Sequence, residues 1–244
     1  MASKDPVYSR FQSSNSLHET FATALALPVQ IAASQDDTEA VEAALYKLWK
    51  LVLDAAEQTA PDQQAYLLDV IKTLKNTKDD GKCCTVWGQQ QSWTDLPLFG
   101  PAMREKWNRS KSSFSASWVN INAFAARLTA ANVCDFSLYA IWTLREALED
   151  PETSKIAVET DPTALHAAAV WLEYAAESIR ILSREEKAFD GKMAKPGQSL
   201  KDKEWRGFCQ ERWQEWARRL SKVAGEQPDL APVLTKAVAE VEKQ

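Results

Sequence analysis

Apolar residues along most of this chain recur every three or four positions, which is the spacing of one face of an α-helix. Alternation with a period of two, typical of a half-buried β-strand, is almost absent. The segment from Thr38 to Ala56 is an example, with the stripe Val41, Ala44, Leu45, Leu48, Val52 and Ala55. The pattern predicts an all-α protein, a single multi-helix bundle of about eight or nine helices.

Several predicted helices have first turns that can be read from the sequence. The pair Asp36–Asp37 precedes the first stripe, where negative charge suits the positive end of the helix dipole. Pro61 favours the first turn of a second helix. Asp161 followed by Pro162 predicts an N-cap and a first helical residue. A weaker helix is predicted before all of these, near 15–27.

The later part of the chain predicts three more helices and a last short one. Trp118–Leu128 has little polar circumference, and a second apolar segment runs from about Asp135 to Glu149. Ser199 with Asp202 resembles a capping box, so a long helix is expected from there to Gly225. Its stripe would hold Trp205, Cys209, Trp213, Trp216, Leu220 and Val223.

No repeat or sharp change of composition divides the chain, so residues 1–244 are predicted to form a single helical domain. Residues 76–101 contain glycines, prolines, Trp87 and Trp93. This range is predicted to be an ordered irregular loop, since flexible linkers avoid tryptophan. A short loop is predicted at about 190–198.

Composition adds an unusual aromatic content to this picture. Ten tryptophans stand beside five tyrosines and eight phenylalanines, and 45% of the 244 residues are hydrophobic. So many indole rings need a broad interior or a cavity to line.

Charge and hydropathy restrict the partners and the location. The formal net charge is -5, which weakly repels phosphate backbones and predicts no nucleic-acid partner. No apolar run reaches the roughly 18 to 20 residues of a membrane span, so no membrane is expected. The first twenty residues lack the apolar core of a signal peptide, and a cytoplasmic location is therefore predicted.

The sequence holds no motif that names a reaction. Cys83 and Cys84 are adjacent, two further cysteines stand alone, and there are only two histidines, so no metal site is expected. Dinucleotide, Walker, nucleophile-elbow and zinc-protease motifs are absent, and no cofactor is predicted. The pair Asp36–Asp37 does not complete the DDxxD motif of terpene cyclases.

Two central segments carry a family resemblance. Trp118–Leu128 (WVNINAFAARL) and Tyr139–Glu149 (YAIWTLREALE) are similar to a family of all-helical proteins of unknown function from filamentous fungi. Trp93–Gly100 (WTDLPLFG) and Trp107 resemble the same family. The resemblance extends over roughly residues 38–225. It implies a fungal source and a helical bundle, and it implies no activity.

Arg127 and Arg145 are the sharpest candidates for a binding site, because each follows a strongly apolar stretch. In one interpretation they form ion pairs between helices, with carboxylates such as Glu146, Glu149 or Glu173 as partners. In the other they hold the carboxylate or phosphate of a ligand by bidentate hydrogen bonds.

The favoured hypothesis combines these arginines with a tryptophan-lined pocket for a small apolar or carboxylated molecule. Its ligand-binding residues would be Trp118, Asn122, Arg127, Trp142, Arg145 and Trp213. In the other interpretation, Asn122 ties its helix to the backbone of a neighbouring loop. Catalytic residues stay unknown, and whether the protein is an enzyme stays open. A reaction there would be a cofactor-independent cyclisation, isomerisation or dehydration.

The alternative hypothesis is a non-enzymatic protein–protein interaction module. An exposed apolar patch, or the loop that bears Trp87 and Trp93, would then carry the function. The sequence leaves homo-oligomerisation open.

Overall fold

The computed structural model describes residues 38–76, 84–112 and 115–243. Helices hold most of these residues, and a two-stranded antiparallel hairpin is the one sheet within the described ranges, so the all-α prediction is confirmed. The predicted helix near 15–27 and the pair Asp36–Asp37 lie outside the described residues.

The described helices and strands follow one another in a simple order. The helices are α1 (Thr38–Gln58), α2 (Ala65–Lys75), α3 (Phe99–Lys111), α4 (Ala116–Ala130), α5 (Ser137–Leu144), α6 (Ile156–Glu159), α7 (Pro162–Arg184), α8 (Gln210–Ala224) and α9 (Ala231–Glu242). The strands are β1 (Cys84–Val86) and β2 (Gln89–Gln91). Short 3-10 helices lie at Pro61–Gln63, Trp93–Asp95, Gln198–Leu200 and Pro228–Leu230. A π-helical turn, Arg145–Glu149, continues α5.

Packing divides the chain into two compact units. Among the described residues, the first consists of those up to Thr59 together with those from Gln64 to Asn108, and the second of Ala60–Gln63 together with those from Arg109 onward. Each is described by itself below, and the single-domain organisation stays a prediction.

In the first unit, Trp49 connects α1 to the segment before α3. Its indole nitrogen donates to the carbonyl oxygen of Pro97 at 2.6 Å, and its ring meets Phe99 edge-on. Lys106 of α3 donates to Asp54 at 2.6 Å and to Glu57 at 2.8 Å. Burial is the largest single influence and lowers the pKa of Lys106, but these two hydrogen bonds and the negative charges of both carboxylates together raise the pKa above its ordinary value.

In the second unit, α7 is the central helix and packs most extensively against α4 and α9. The carboxylate of Asp161 accepts a hydrogen bond from the backbone N–H of Thr163 at 2.7 Å, which confirms the predicted N-cap. Alanines along α7 and α4 let the two helices approach closely, with Val119, Ala123 and Val170 at their contact.

Most of the indole rings are buried, as their number suggested. Trp49, Trp93 and Trp107 are buried in the first unit, and Trp118, Trp171, Trp213 and Trp216 in the second. Trp142 and Trp205 are half-buried, and Trp87 is exposed. None of the described helices combines the length and the apolar composition needed to cross a bilayer.

One predicted helix start is wrong. The helix expected from Ser199 begins only at Gln210, and Ser199 lies in a single 3-10 turn. The side chain of Ser199 donates to the carbonyl oxygen of Glu149 at 2.6 Å instead of capping its own helix. Pro61 likewise begins a 3-10 turn, and α2 follows four residues later.

Candidate anion-binding cleft

The segment between α7 and α8 forms a loop whose two ends are joined. Phe189 N–H donates to the Arg206 carbonyl at 2.8 Å, and Phe208 N–H donates to the Lys187 carbonyl at 2.9 Å. Ala188 and Gly207 pair as an antiparallel bridge between them. A side chain at Gly207 would lie 2.0 Å from the Lys187 carbonyl oxygen, so only glycine fits this junction. We call residues 189–206 the closed loop, a form of surface loop that is often functional.

The closed loop surrounds a cleft of about 950 Å³. Eleven of the thirteen residues that line it come from Gly191–Arg206, and the other two are Arg145 and Asp150 at the ends of the π-helical turn. In that turn the Asp150 N–H donates to the Arg145 carbonyl, five residues back, at 2.8 Å. Turns of this kind occur frequently at functional sites.

The lining of the cleft is strongly basic. Its cations are Arg145, Lys192, Lys195, Lys201, Lys203 and Arg206, and its acids are Asp150 and Glu204. The formal charge of the lining is therefore about +4, in a chain whose net charge is -5. A cleft lined mainly by one sign of charge concentrates its field and attracts ions of the opposite sign.

Most of these cations have no carboxylate partner among the described residues. Lys203 is the exception, because it pairs with Glu211 at 2.5 Å. Arg145 makes only long contacts, to the carbonyl oxygens of Met193 at 3.5 Å and Lys195 at 3.4 Å. Its guanidinium carries five N–H donors, so most of its donor capacity is available to a ligand.

Beneath the closed loop lies a buried ion pair between Glu149 and Arg212, both of them 0% exposed. Arg212 donates from Nε to Oε1 of Glu149 at 2.7 Å and from Nη2 to Oε2 at 3.0 Å. The carboxylate also accepts the indole N–H of Trp216 at 2.6 Å and the backbone N–H of Gly197 at 2.8 Å. Every oxygen of this buried carboxylate is thus hydrogen-bonded, which a buried charge requires.

Arg212 uses its remaining donors on the backbone of the closed loop and its junction. Nη1 donates to the carbonyl oxygens of Ala194 at 2.7 Å and Gly207 at 2.9 Å, and Nη2 to that of Lys195 at 3.3 Å. All five N–H groups therefore have acceptors, and the arginine fixes the loop from inside.

Two further contacts hold the loop against the π-helical turn. Gln198 N–H donates to the carboxylate of Asp150 at 2.9 Å. A Cβ atom at Gly197 would lie 2.5 Å from the Cβ of Glu149, so this close approach requires glycine. The cleft is consequently a preorganised site, although it is built on a loop.

Aromatic rings enclose the buried guanidinium. The Cζ atom of Arg212 lies over the ring of Trp205 at 5.5 Å from its centroid and over the ring of Trp216 at 5.2 Å. Trp216 is fully buried, whereas Trp205 is half-buried and lines the cleft. The indole N–H of Trp205 donates to Glu211 at 2.9 Å, which fixes the orientation of the ring.

Of the six binding residues expected from the sequence, the structure places Arg145 in the cleft lining and Trp142 beside it. The Trp142 indole donates to the Met193 carbonyl at 2.8 Å, the same oxygen that Arg145 contacts. Trp142 also stacks on Tyr139, with 5.5 Å between ring centroids. These two predicted residues are therefore brought together by the closed loop.

The other four expected residues are not among those that line the cleft. Asn122 is fully buried and connects three helices: it donates to the Trp118 carbonyl at 2.9 Å and accepts from Thr143 at 2.9 Å and Trp171 at 2.8 Å. Trp118 is buried in α4 beneath Lys111, and Trp213 is buried in α8.

Arg127 has other partners than the carboxylates that the sequence suggested. Its Nη2 donates to the Pro61 carbonyl at 2.9 Å, and its Cζ lies over the ring of Tyr174 at 3.9 Å. Among the described residues no carboxylate forms an ion pair with it. A carbonyl and an aromatic face stabilise this half-buried guanidinium.

The sequence analysis missed the lysines of the closed loop and Arg212. A signal for the lysines was present, since cations recur at positions 192, 195, 201, 203 and 206 around Gly191, Pro196 and Gly197. Arg212 gave no such signal, because its carboxylate partner is 63 positions away in the chain. Within the described ranges, no group of three or more histidine, cysteine or carboxylate side chains is arranged to hold a metal ion.

The described part of the chain is thus an all-α protein that carries a basic cleft on a closed loop between two long helices. Comparison with family profiles matches residues 49–220 to the family described as "Protein of unknown function (DUF3632)". The match covers well over half of the chain, which therefore belongs to this family. Comparisons with curated proteins and with solved structures gave no match.

Proposed function

We propose that this protein binds a small anionic molecule, carboxylated or phosphorylated, in the cleft of the closed loop. The observation that carries the proposal is the reversal of charge: a lining of about +4 in a chain of net charge -5. Cations crowded on one loop repel one another, and a bound anion would relieve that repulsion.

The arrangement of the cations supports anion binding by direct contact. Arg145 offers a planar fork suited to carboxylate or phosphate, and the lysines offer mobile point charges around it. The loop that bears them is held by Glu149 and Arg212, so little ordering is needed when a ligand arrives. The volume of about 950 Å³ lies within the range of small-molecule sites.

Titration calorimetry at low salt with citrate and inorganic phosphate tests the proposal. The double variant Arg145→Gln/Lys195→Gln should bind at least about tenfold more weakly, because two charge-assisted contacts are lost. Lys155→Gln is the matched control: Lys155 is exposed, outside the cleft lining, and paired with Glu159. Affinity should also fall as salt is raised. Equal affinity of the double variant and the control, or no binding to the native protein, would overturn the proposal.

The sequence supports one accompanying proposal. A fungal source rests on the resemblance of the two central segments, and a cytoplasmic location stays a prediction. The cofactor-independent reactions named above stay predictions, and the proposal concerns binding alone.

A second candidate function is self-association through the hairpin of the first unit. Trp87 is 61% exposed at the turn between β1 and β2, with a φ of 50° next to Gly88 at 74°. A tryptophan with positive φ is strained, and an exposed indole gains most when another protein surface covers it. Trp93, in contrast, is buried.

Sedimentation analysis over a range of concentrations tests this second candidate. Trp87→Ala should reduce dimer formation, whereas Val158→Ala, at another exposed apolar side chain, should not. A native protein that stays monomeric at high concentration would contradict self-association.

A further inference from the structure

The half-buried ring of Trp205 gives the cleft an aromatic wall next to its cations. Arg212 is fully buried, and its guanidinium lies over the ring of Trp205. The Nζ atom of Lys203 also lies over this ring, 5.9 Å from its centroid. The ring is half-buried and lines the cleft, so its exposed part is accessible to a ligand.

The neighbouring cations change which ligand suits this ring. An indole face is ordinarily negative and repels anions, but the positive charges of Arg212 and Lys203 offset that negative potential. The exposed part of the ring then tolerates an electron-rich ring that carries a negative group. Offset stacking of two such rings adds to the burial of their apolar surface.

The cations near Trp205 are placed for the charged end of such a ligand. Arg206 is the next residue in the chain and also lines the cleft, whereas Lys203 is already paired with Glu211. The two acids of the lining, Glu204 and Asp150, repel a second negative group of the ligand. Glu204 directly precedes Trp205, and Asp150 accepts the Gln198 N–H.

We infer that the ligand class of this cleft is a planar aromatic acid, a single ring that bears one carboxylate or phosphate group. This inference rests on the proposed anion binding and adds to it the preference for a ring. The ring stacks on Trp205, and the anionic group meets the cations of the cleft.

Phenyl phosphate and methyl phosphate are the probes, because they carry the same charge and differ only in the ring. Calorimetry at pH 8 and low salt should show phenyl phosphate binding about three- to tenfold more tightly to the native protein, the range expected of an aromatic pair. Trp205→Leu should lower the affinity for phenyl phosphate about three- to tenfold more than the affinity for methyl phosphate, so that the ratio is lost. Trp205→Phe should keep the ratio, since a ring is restored without the indole N–H.

The outcomes separate this inference from the proposed function. If neither phosphate binds, anion binding itself fails. If methyl phosphate binds and Arg145→Gln weakens it, but the phenyl ester gains nothing, only the aromatic preference is overturned. If Trp205→Leu lowers both affinities equally with an unchanged urea midpoint, Trp205 acts without stacking and the inference is again overturned. If Trp205→Leu instead lowers the urea midpoint, Trp205→Phe is the deciding variant. The inference then requires that Trp205→Phe keep the native ratio of the phenyl phosphate and methyl phosphate affinities.

Discussion

Arg145 and Arg212 contact the same carbonyl oxygen, that of Lys195, at 3.4 and 3.3 Å, and yet they differ in almost every other respect. Arg212 is buried, forms a bidentate pair with Glu149 and satisfies all five of its N–H donors within the protein. Arg145 is half-buried, makes only two long contacts and lines an open cleft.

The difference shows how burial separates a structural charge from a binding charge. A buried guanidinium costs several kcal/mol unless every donor is hydrogen-bonded, so a stable fold leaves none of them for a ligand. A guanidinium at the edge of a cleft can leave donors to water, and water is readily exchanged for an anion. Arg212 therefore holds the closed loop in place, and Arg145 keeps donors available for an anion.

The largest expected effect comes from breaking the buried pair. Arg212→Met leaves the Glu149 carboxylate buried without its charged partner and releases the carbonyls of Ala194, Lys195 and Gly207. We expect the free energy of unfolding in urea to fall by about 3 to 5 kcal/mol.

An exposed ion pair provides the control for this measurement. Lys155 and Glu159 lie 3.2 Å apart and are both more than half exposed, so Lys155→Met should cost less than about 1 kcal/mol. Similar losses in the two variants would contradict the structural role given to Arg212.

A smaller loss is expected where the closed loop meets the π-helical turn. Gly197→Ala places a Cβ atom 2.8 Å from the backbone nitrogen of Asp150, and the loop must shift away. Overpacking of this kind costs about 1 to 3 kcal/mol. Gly100→Ala is the matched control, because a Cβ atom there meets nothing within 4 Å, and urea unfolding should show no loss. A neutral Gly197→Ala would mean that the loop is not held at this point.

The regular part of the fold was predictable because its causes are local. The stripe from Thr38 corresponds to α1, which ends at Gln58, and the Asp161 cap lies at the start of α7. Helical spacing and capping act over a few residues, and the sequence displays them directly.

The closed loop was not predictable, because distant contacts fix it. The capping-box pattern at Ser199 favours a helix, but Ser199 bonds to Glu149, fifty positions away, and Arg212 takes the carbonyl of Gly207, which the expected helix would use. Tertiary contacts therefore override the local preference. Of the site itself, Arg145 could be found from its sequence surroundings, whereas the loop lysines needed the Ala188–Gly207 bridge to bring them together.

Glu215 and its partners Arg218 and Arg219 form ion pairs whose exposure lies between those of the buried and the exposed pairs. Hydrogen bonds from Arg218 hold the pKa of Glu215 at about 2, against burial and with help from Arg219. A carboxyl whose pKa is lowered by folding stabilises the protein above its unfolded pKa of about 4.5, and loses this as the pH falls toward 2. Between pH 5 and pH 2, the free energy of unfolding should fall by about 1 to 2 kcal/mol more in the native protein than in Glu215→Gln. This difference is smaller than the full pKa shift corresponds to, because solvent screens the ion pairs. An unchanged pH profile would show that Glu215 gains nothing from its arginines.

The smallest effect on stability should come from Arg145, and this result would separate the roles of the two arginines most clearly. Arg145→Gln removes two long contacts to carbonyls that other donors also hold: Trp142 at Met193 and Arg212 at Lys195. The free energy of unfolding in urea should therefore change by less than about 0.5 kcal/mol, as for a typical surface substitution. The same variant should bind citrate more weakly than the native protein. A loss of stability close to that of Arg212→Met would instead make both arginines structural, and the cleft would lose its principal anion-binding residue.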